Sequence, residues 1–88
     1  MNRKSLEKIL KATANKRRLA VLEYLVKEKE ANVGDIATYL NLSFKSTSRH
    51  LAVLRGVDLV DRDQRGLEIF YRLSKDVPEV VKQIMRHL

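Results

Sequence analysis

Asp35-Ile36-Ala37-Thr38-Tyr39-Leu40-Asn41-Leu42-Ser43-Phe44-Lys45-Ser46-Thr47-Ser48-Arg49-His50-Leu51-Ala52-Val53-Leu54-Arg55 reads as two short helices folded about a tight turn. Ile36, Ala37 and Leu40 share one face of the first, which starts at Gly34 or Asp35. Asn41-Leu42 makes the turn. Ser43 is a good N-cap for the second, expected over about residues 44–55, because its hydroxyl can accept a free backbone N–H of the first turn. Thr47, Leu51 and Leu54 follow at i, i+4, i+7 and form its inner face. Two helices in this arrangement predict a helix-turn-helix.

The flanks extend the pattern. Upstream, Leu6, Ile9, Leu10 and Thr13 predict an amphipathic helix over about residues 3–14. Asn15 caps another, with Leu19, Leu22, Leu25 and Val26 inward and Ala20 and Val21 beside them. Lys27-Glu28-Lys29-Glu30 ends it, and Val33 sits in a short extended link. Downstream of Gly56 the period changes. Leu59-Val60 reads as a strand fraying into the polar loop Asp61-Arg62-Asp63, with a turn at Gln64-Arg65-Gly66. Leu67, Ile69, Tyr71 and Leu73 alternate with Glu68, Phe70, Arg72 and Ser74, which is a strand of period two. Asp76-Val77-Pro78-Glu79 then has a capping-box pattern, with Asp76 as the cap of a last helix. The order helix, helix, short β link, helix, helix, hairpin, helix predicts a mainly α fold with a small β-hairpin. A hairpin following a helix-turn-helix is a wing, so residues 1–88 are expected to form a single winged helix-turn-helix domain with helices for dimerisation at both ends.

Composition narrows the function classes. Eighty-eight residues suffice for one small domain and not for a large enclosed cleft. There is no cysteine, hence no disulfide framework, thiolate metal site or cysteine nucleophile; this fits a reducing, cytoplasmic setting. The two histidines lack a carboxylate cluster and no Gly-rich phosphate loop is present, so an enzyme is not expected, nor a cofactor. No apolar run approaches the roughly 18–20 residues of a membrane span. Met1-Asn2-Arg3-Lys4 is basic, but no apolar stretch follows it as in a signal peptide.

The net charge of +7 makes a polyanion the first partner to consider. Seven Lys or Arg stand against Glu7 alone in residues 1–18, and Ser43 to Val57 is basic with no acid. In a winged helix the N-terminal half of the recognition helix, here about residues 43–55, meets base edges in the major groove. The outward positions are Phe44, Lys45, Ser46, Ser48 and Arg49. Arg49 can present two parallel donors to guanine, and Lys45 can donate to guanine or phosphate. The serines are small enough for close approach. Phe44 either meets a thymine methyl group or packs on the third helix or Tyr39. Arg55 adds charge further along. The wing, about residues 61–67, brings Arg62 and Arg65 near the flanking backbone, Asp61 and Asp63 offsetting Arg62. Lys16, Arg17 and Arg18 open the second helix, where a helix N-terminus favours anions; phosphate contact and plain solvation are both open there. His50, at the helix flank, is expected to be a hydrogen-bonded structural residue.

Val77, Val80, Val81, Ile84, Met85 and Leu88 give the last helix more apolar surface than a helix at the edge of a small fold should expose, and Leu6, Ile9 and Leu10 do the same for the first. These residues are expected to pair two chains across a two-fold axis. Double-stranded DNA and a second copy of the chain are thus the expected partners. A sequence-blind architectural DNA-binding protein and a protein-binding winged helix are the alternatives. RNA recognition, which stacks bases on exposed aromatics, is disfavoured by an aromatic content of 6%.

Asp35-Ile36-Ala37, Leu40-Asn41-Leu42-Ser43, Ser48-Arg49-His50-Leu51-Ala52-Val53-Leu54-Arg55, Leu59-Val60 and Phe70-Tyr71-Arg72-Leu73 resemble the ArsR-type winged helix-turn-helix repressors, as does Leu10-Lys11-Ala12 with Asn15-Lys16-Arg17-Arg18-Leu19. The resemblance spans about residues 8–75 and implies a dimeric transcriptional regulator, a repressor on a palindromic operator. Lys16 stands where that family usually has proline, and Asp58 where it usually has glycine. The family's metal sensors often carry a cysteine pair in the third helix, and Asn32 to Ile36 has none. Asp76, Glu79 and His87 lack the spacing of the family's other metal site. No metal is therefore expected at the known family sites.

Overall fold

The computed structural model describes residues 1–88 as five helices around a three-stranded sheet. In order these are α1 (Arg3–Thr13), α2 (Lys16–Glu28), β1 (Glu30–Asn32), α3 (Val33–Leu40), α4 (Phe44–Gly56), β2 (Val60–Arg65), β3 (Glu68–Leu73) and α5 (Glu79–Arg86). The expected caps form at α2 and α4: Asn15 Oδ1 accepts from the Arg17 and Arg18 amides, and Ser43 Oγ from the Ser46 amide at 3.0 Å. Thr47, Leu51 and Leu54 are fully buried, and the Thr47 hydroxyl is satisfied by the Ser43 carbonyl at 2.9 Å. Leu51 and Leu54 pack in one core with Val21, Leu22 and Leu25 of α2, Ile36 of α3, and Leu59, Val60, Tyr71 and Val81. Burial of each such aliphatic side chain is worth roughly 1.5–3 kcal/mol. No helix is long and apolar enough to cross a membrane.

Several local expectations change. Val33 is not in the extended link. Asn32 accepts from the Asp35 amide and caps α3, so Val33 is its first residue and turns into the core. Val26 is 44% exposed, and Val21 fills the place beside Leu22 and Leu25 instead, because the buried arc of α2 is centred one residue earlier in the turn. Asp61-Arg62-Asp63 is strand, not loop. β2 and β3 pair antiparallel from Val60 opposite Leu73 to Arg65 opposite Glu68, leaving the two-residue turn Gly66-Leu67 with Gly66 at φ +63°. Leu67 thereby leaves the inward stripe and stands fully exposed at the tip. β1 pairs with the other edge of β3, giving the order β1-β3-β2. Asp76 does not cap α5. Pro78 holds the N-cap position without a side-chain bond, which suits a residue of fixed φ entering a helix.

The joint between α4 and the wing is a Schellman turn. Leu59 N–H donates to Leu54 C=O and Asp58 N–H to Arg55 C=O, with Asp58 left-handed at φ +59°. Asp therefore takes the conformation for which glycine is the usual residue. Leu54 and Leu59, both fully buried, supply the apolar contact that accompanies this turn.

The two terminal helices do not pack on each other: α1 rests on α2 and α4, and α5 on α2. Three residues expected at a dimer seam belong to the protomer's own core. Ile9, Val77 and Val81 are 6%, 7% and 0% exposed. Val81 is the buried residue of α5, and Val77, just before its Pro78 cap, turns into the same core. The apolar surface left over is Leu10 and Leu88, both exposed, with Leu6, Val80, Ile84 and Met85 half-covered.

Candidate nucleic-acid interface

α4 carries Lys45, Arg49, His50 and Arg55 and no acidic residue. Its buried line through Thr47, Leu51 and Leu54 turns Lys45 and Arg49, one helical turn apart, to solvent, together with Ala52 and Val53 further on. Ser46 and Ser48 lie between them, half-exposed. Neither Lys45 nor Arg49 makes an ion pair, since the salt bridges of the molecule are elsewhere. Arg55 is exposed at the far end of the helix. Phe44 is 61% exposed, and Tyr39 stacks on Tyr24 instead, their ring centroids 4.4 Å apart. Phe44, Val33, Gly34, Leu67 and Ile69 line one groove, which puts the start of α4 and the wing tip on the same side of the molecule. Alternation alone places Leu67 in the strand with Ile69, Tyr71 and Leu73, whereas it belongs to the turn. The glycine before it was the signal for a tip position.

The wing arginines are arranged differently from their sequence order. Strand alternation puts Asp61, Asp63 and Arg65 on one face of β2 and Arg62 on the other. Arg65 binds Glu30 of β1 through both carboxylate oxygens, at 2.6 and 2.9 Å, and Asp63 through Nε at 3.0 Å. Its guanidinium also lies 4.6 Å from the centre of the Phe70 ring. The hydrogen bond from Arg65 holds the Glu30 carboxyl below its ordinary value. Asp61 accepts from Ser74 Oγ. Arg62 is exposed with no ion pair, so it is not offset by its two acidic neighbours, which face away from it.

Lys16 and Arg17 are exposed at the start of α2. Arg18 is not free. It donates to the Ala12 and Lys11 carbonyls at the end of α1, and Nη1 lies 3.3 Å from His50 Nδ1 on α4. Burial, then the neighbouring Arg18 and Arg17 charges, push the His50 ring below its usual pKa. His50 is thus the structural, hydrogen-bonded residue expected of it. No cluster of three or more His, Cys, Asp or Glu side chains is placed to hold a metal ion.

Comparison with known proteins agrees with this geometry. A model of the bacterial regulatory protein arsR family matches residues 15–62. The chain is 36% identical over 80 residues to the transcriptional activator HlyU of Vibrio cholerae, covering 91% of this chain and 73% of that protein. It is 32% identical over 77 residues to the transcriptional repressor PagR of Bacillus anthracis, covering 88% of this chain and 77% of that one. The HlyU structure from Vibrio cholerae superposes with a TM-score of 0.83 at 34% identity, over 99% of this chain and 97% of that one. The homodimeric winged helix-turn-helix DNA-binding domain of a possible ArsR-family regulator from Mycobacterium bovis superposes at 0.80 and 28% identity, over 96% of this chain and 74% of that one. The chain belongs to the arsR family of bacterial regulatory proteins.

Proposed function

We propose that this chain is a sequence-specific, double-stranded-DNA-binding transcriptional regulator, working at the nucleoid as a homodimer on a near-palindromic operator. The observation that carries the reading is the solvent face of α4: two unpaired cations, Lys45 and Arg49, interleaved with serines on a helix without an acid. Such a face is self-repelling in isolation and complementary to a groove lined by phosphates and guanine acceptors. Arg49 reads guanine, Phe44 meets a thymine methyl group, and Ser46 and Ser48 allow close approach. Lys45, Arg55, Lys16, Arg17 and Arg62 supply phosphate contacts. Arg65 stiffens the wing, and Arg18 bridges the end of α1 to α4. The protein acts by binding and carries out no chemistry.

Dimerisation follows from the apolar residues that the protomer leaves uncovered on α1 and α5, and a homodimeric structural neighbour supports it. A two-fold dimer sets two recognition helices in successive major grooves, roughly 34–36 Å apart. Covering a promoter is the simplest output, hence repression. Of its relatives, one is named an activator and another a repressor.

Selection of bound duplexes from a random pool tests the reading. Enrichment of a palindrome with half-sites about one helical turn apart is the expected result. Salt-sensitive binding with no enriched sequence overturns it in favour of an architectural protein, and no binding in favour of a protein-binding module. Ile84→Glu should halve the mass in solution; an unchanged mass would remove α5 from the seam.

A further inference from the structure

We propose that Arg18 is a positioning residue, clamping the end of α1 to His50 and thereby fixing the rotation of the recognition helix about its own axis. The inference rests on the DNA-binding reading above for its consequence, but the clamp itself is visible in the free protein.

The backbone of Arg18 is anchored first, its amide donating to the Asn15 cap at 3.1 Å. From there the guanidinium reaches two neighbours at once. Nε donates to the Ala12 carbonyl and Nη2 to the Lys11 carbonyl at 3.3 Å. Both carbonyls lie in the last turn of α1, where a helix runs out of its own amide donors. A cation there also complements the negative end of the helix dipole. Nη1 then crosses to α4 and meets His50 Nδ1 at 3.3 Å. A guanidinium has no acceptor, so it is the donor and Nδ1 accepts. The ring is therefore neutral, with its proton on Nε2. The planar fork of arginine serves all three acceptors; the ammonium of lysine has no such fixed geometry.

His50 directly follows Arg49. A helix turns about 100° per residue, so a lateral bond at His50 sets the direction in which Arg49 leaves the helix. The buried line of α4 holds the helix against the core, but aliphatic contacts are non-directional. The bond from Arg18 is directional and comes from outside that line. Because α1 also lends Leu6 and Leu10 to the proposed seam, the clamp links the dimer face to the groove-reading face.

The contact works only for the neutral ring. The charges acting on His50 are Arg18 and Arg17 of α2, both cations. α1 presents carbonyls to the clamp and has one acid, Glu7. α3 carries Asp35, and β2 carries Asp61, Arg62, Asp63 and Arg65; none of these acts on the ring. Protonation would remove the acceptor and add a positive charge with no carboxylate to receive it. The clamp is thus intact above pH 6.5, the ordinary histidine value, and is lost as pH falls through the depressed value in the folded protein.

Two measurements on the full chain test this. In an NMR titration of the histidine rings, His50 should titrate below 6.5 with Nδ1 unprotonated at neutral pH, and Arg18→Ala should raise its midpoint. An unmoved midpoint overturns the clamp without reference to DNA. Binding is then measured to the selected operator and to a scrambled duplex, across salt. Arg18→Ala should lower the preference for operator about tenfold or more, as expected when the guanine contact of Arg49 is misdirected, and leave the salt slope alone. Equal weakening on both duplexes, with the slope reduced by about one, would make Arg18 a phosphate contact and overturn the proposal. His50→Phe approaches the same bond from α4 and leaves the α1 carbonyls bonded. It should reproduce the lost preference at pH 7.5, and retention of wild-type preference overturns the proposal. His50→Gln, whose carbonyl accepts at any pH, should hold its preference as pH is lowered through the His50 midpoint found in the ring titration, while the wild type loses it; parallel profiles across that midpoint overturn the pH argument. If the wild type prefers no duplex, the DNA-binding reading fails, and the ring titration alone decides the clamp.

Discussion

The start of α4 and the wing lie on the same side of the molecule, and both carry arginines, yet they treat charge in opposite ways. On α4, Lys45 and Arg49 stack one turn apart with nothing to neutralise them. Such a like-charge pair costs an isolated helix a few tenths of a kcal/mol. In the wing, strand period two gathers Asp63 and Arg65 on one face, where Glu30 of β1 and the Phe70 ring complete the enclosure of Arg65. Arg62, on the other face of β2, stays unpaired. Formal charge and available charge are therefore different quantities. The helix leaves both cations unpaired, and β2 uses one of its two arginines to hold the wing together.

The contrast depends on one joint, which gives the largest expected effect. Leu54 is fully buried against the Schellman turn that launches the wing. Leu54→Ala should cost about 2–5 kcal/mol in denaturant unfolding and loosen both regions together. A loss under about 1 kcal/mol would mean that the joint is not where α4 and the wing are coupled. Next, Arg49→Ala should remove about 1–3 kcal/mol of discrimination between operator and scrambled duplex. Arg62→Ala should instead weaken both duplexes alike and lower the salt slope by about one. If Arg65→Ala shifted discrimination as far as Arg49→Ala does, the division between reading helix and self-paired wing would collapse.

A smaller effect sharpens the joint itself. Asp58→Gly relieves a left-handed residue of its side-chain strain and should raise stability by about 0.5–1 kcal/mol, read as a higher thermal midpoint. The smallest effect belongs to the wing pair. Arg65 holds the Glu30 carboxyl below its ordinary 4.5, so the stabilisation from this exposed pair is complete above pH 4.5 and is lost as pH falls through the lowered value. Amide protection, corrected for the intrinsic exchange rate at each pH, should fall in β2 and β3 on acidification below pH 4.5 before it does at Leu51 or Leu54. Simultaneous loss in both regions would show that the wing has no local stability of its own.

Most of the architecture was legible in one dimension because its causes are local. Ser43 and Asn15 cap because their side chains reach amides two or three residues on. Thr47, Leu51 and Leu54 face inward because a helix repeats every 3.6 residues, and Ile69, Tyr71 and Leu73 because a strand repeats every two. The capping of α3 by Asn32 was missed because Asn32 is also the end of β1, and only the pairing of β1 with β3 fixes where the chain stops being extended. In and beside α5, six apolar residues announced a buried face, but not that Val77 and Val81 belong to the protomer's core while Leu88 stays exposed and Ile84 half-covered. That division is made by which line of the helix α2 covers. The least legible features are the partners of Arg18 and Arg65. Position 18 and position 50 are 32 residues apart, and positions 30 and 65 are 35 apart. Position at a helix start and at a wing tip made both arginines candidates for DNA, and only the packing of distant elements shows that each is bonded within the protein. Sequence thus determined the elements, the core faces and the family, all set by short-range spacing. Tertiary structure alone decided which charges remain free, because a charge is free or paired according to neighbours that the chain brings together only by folding.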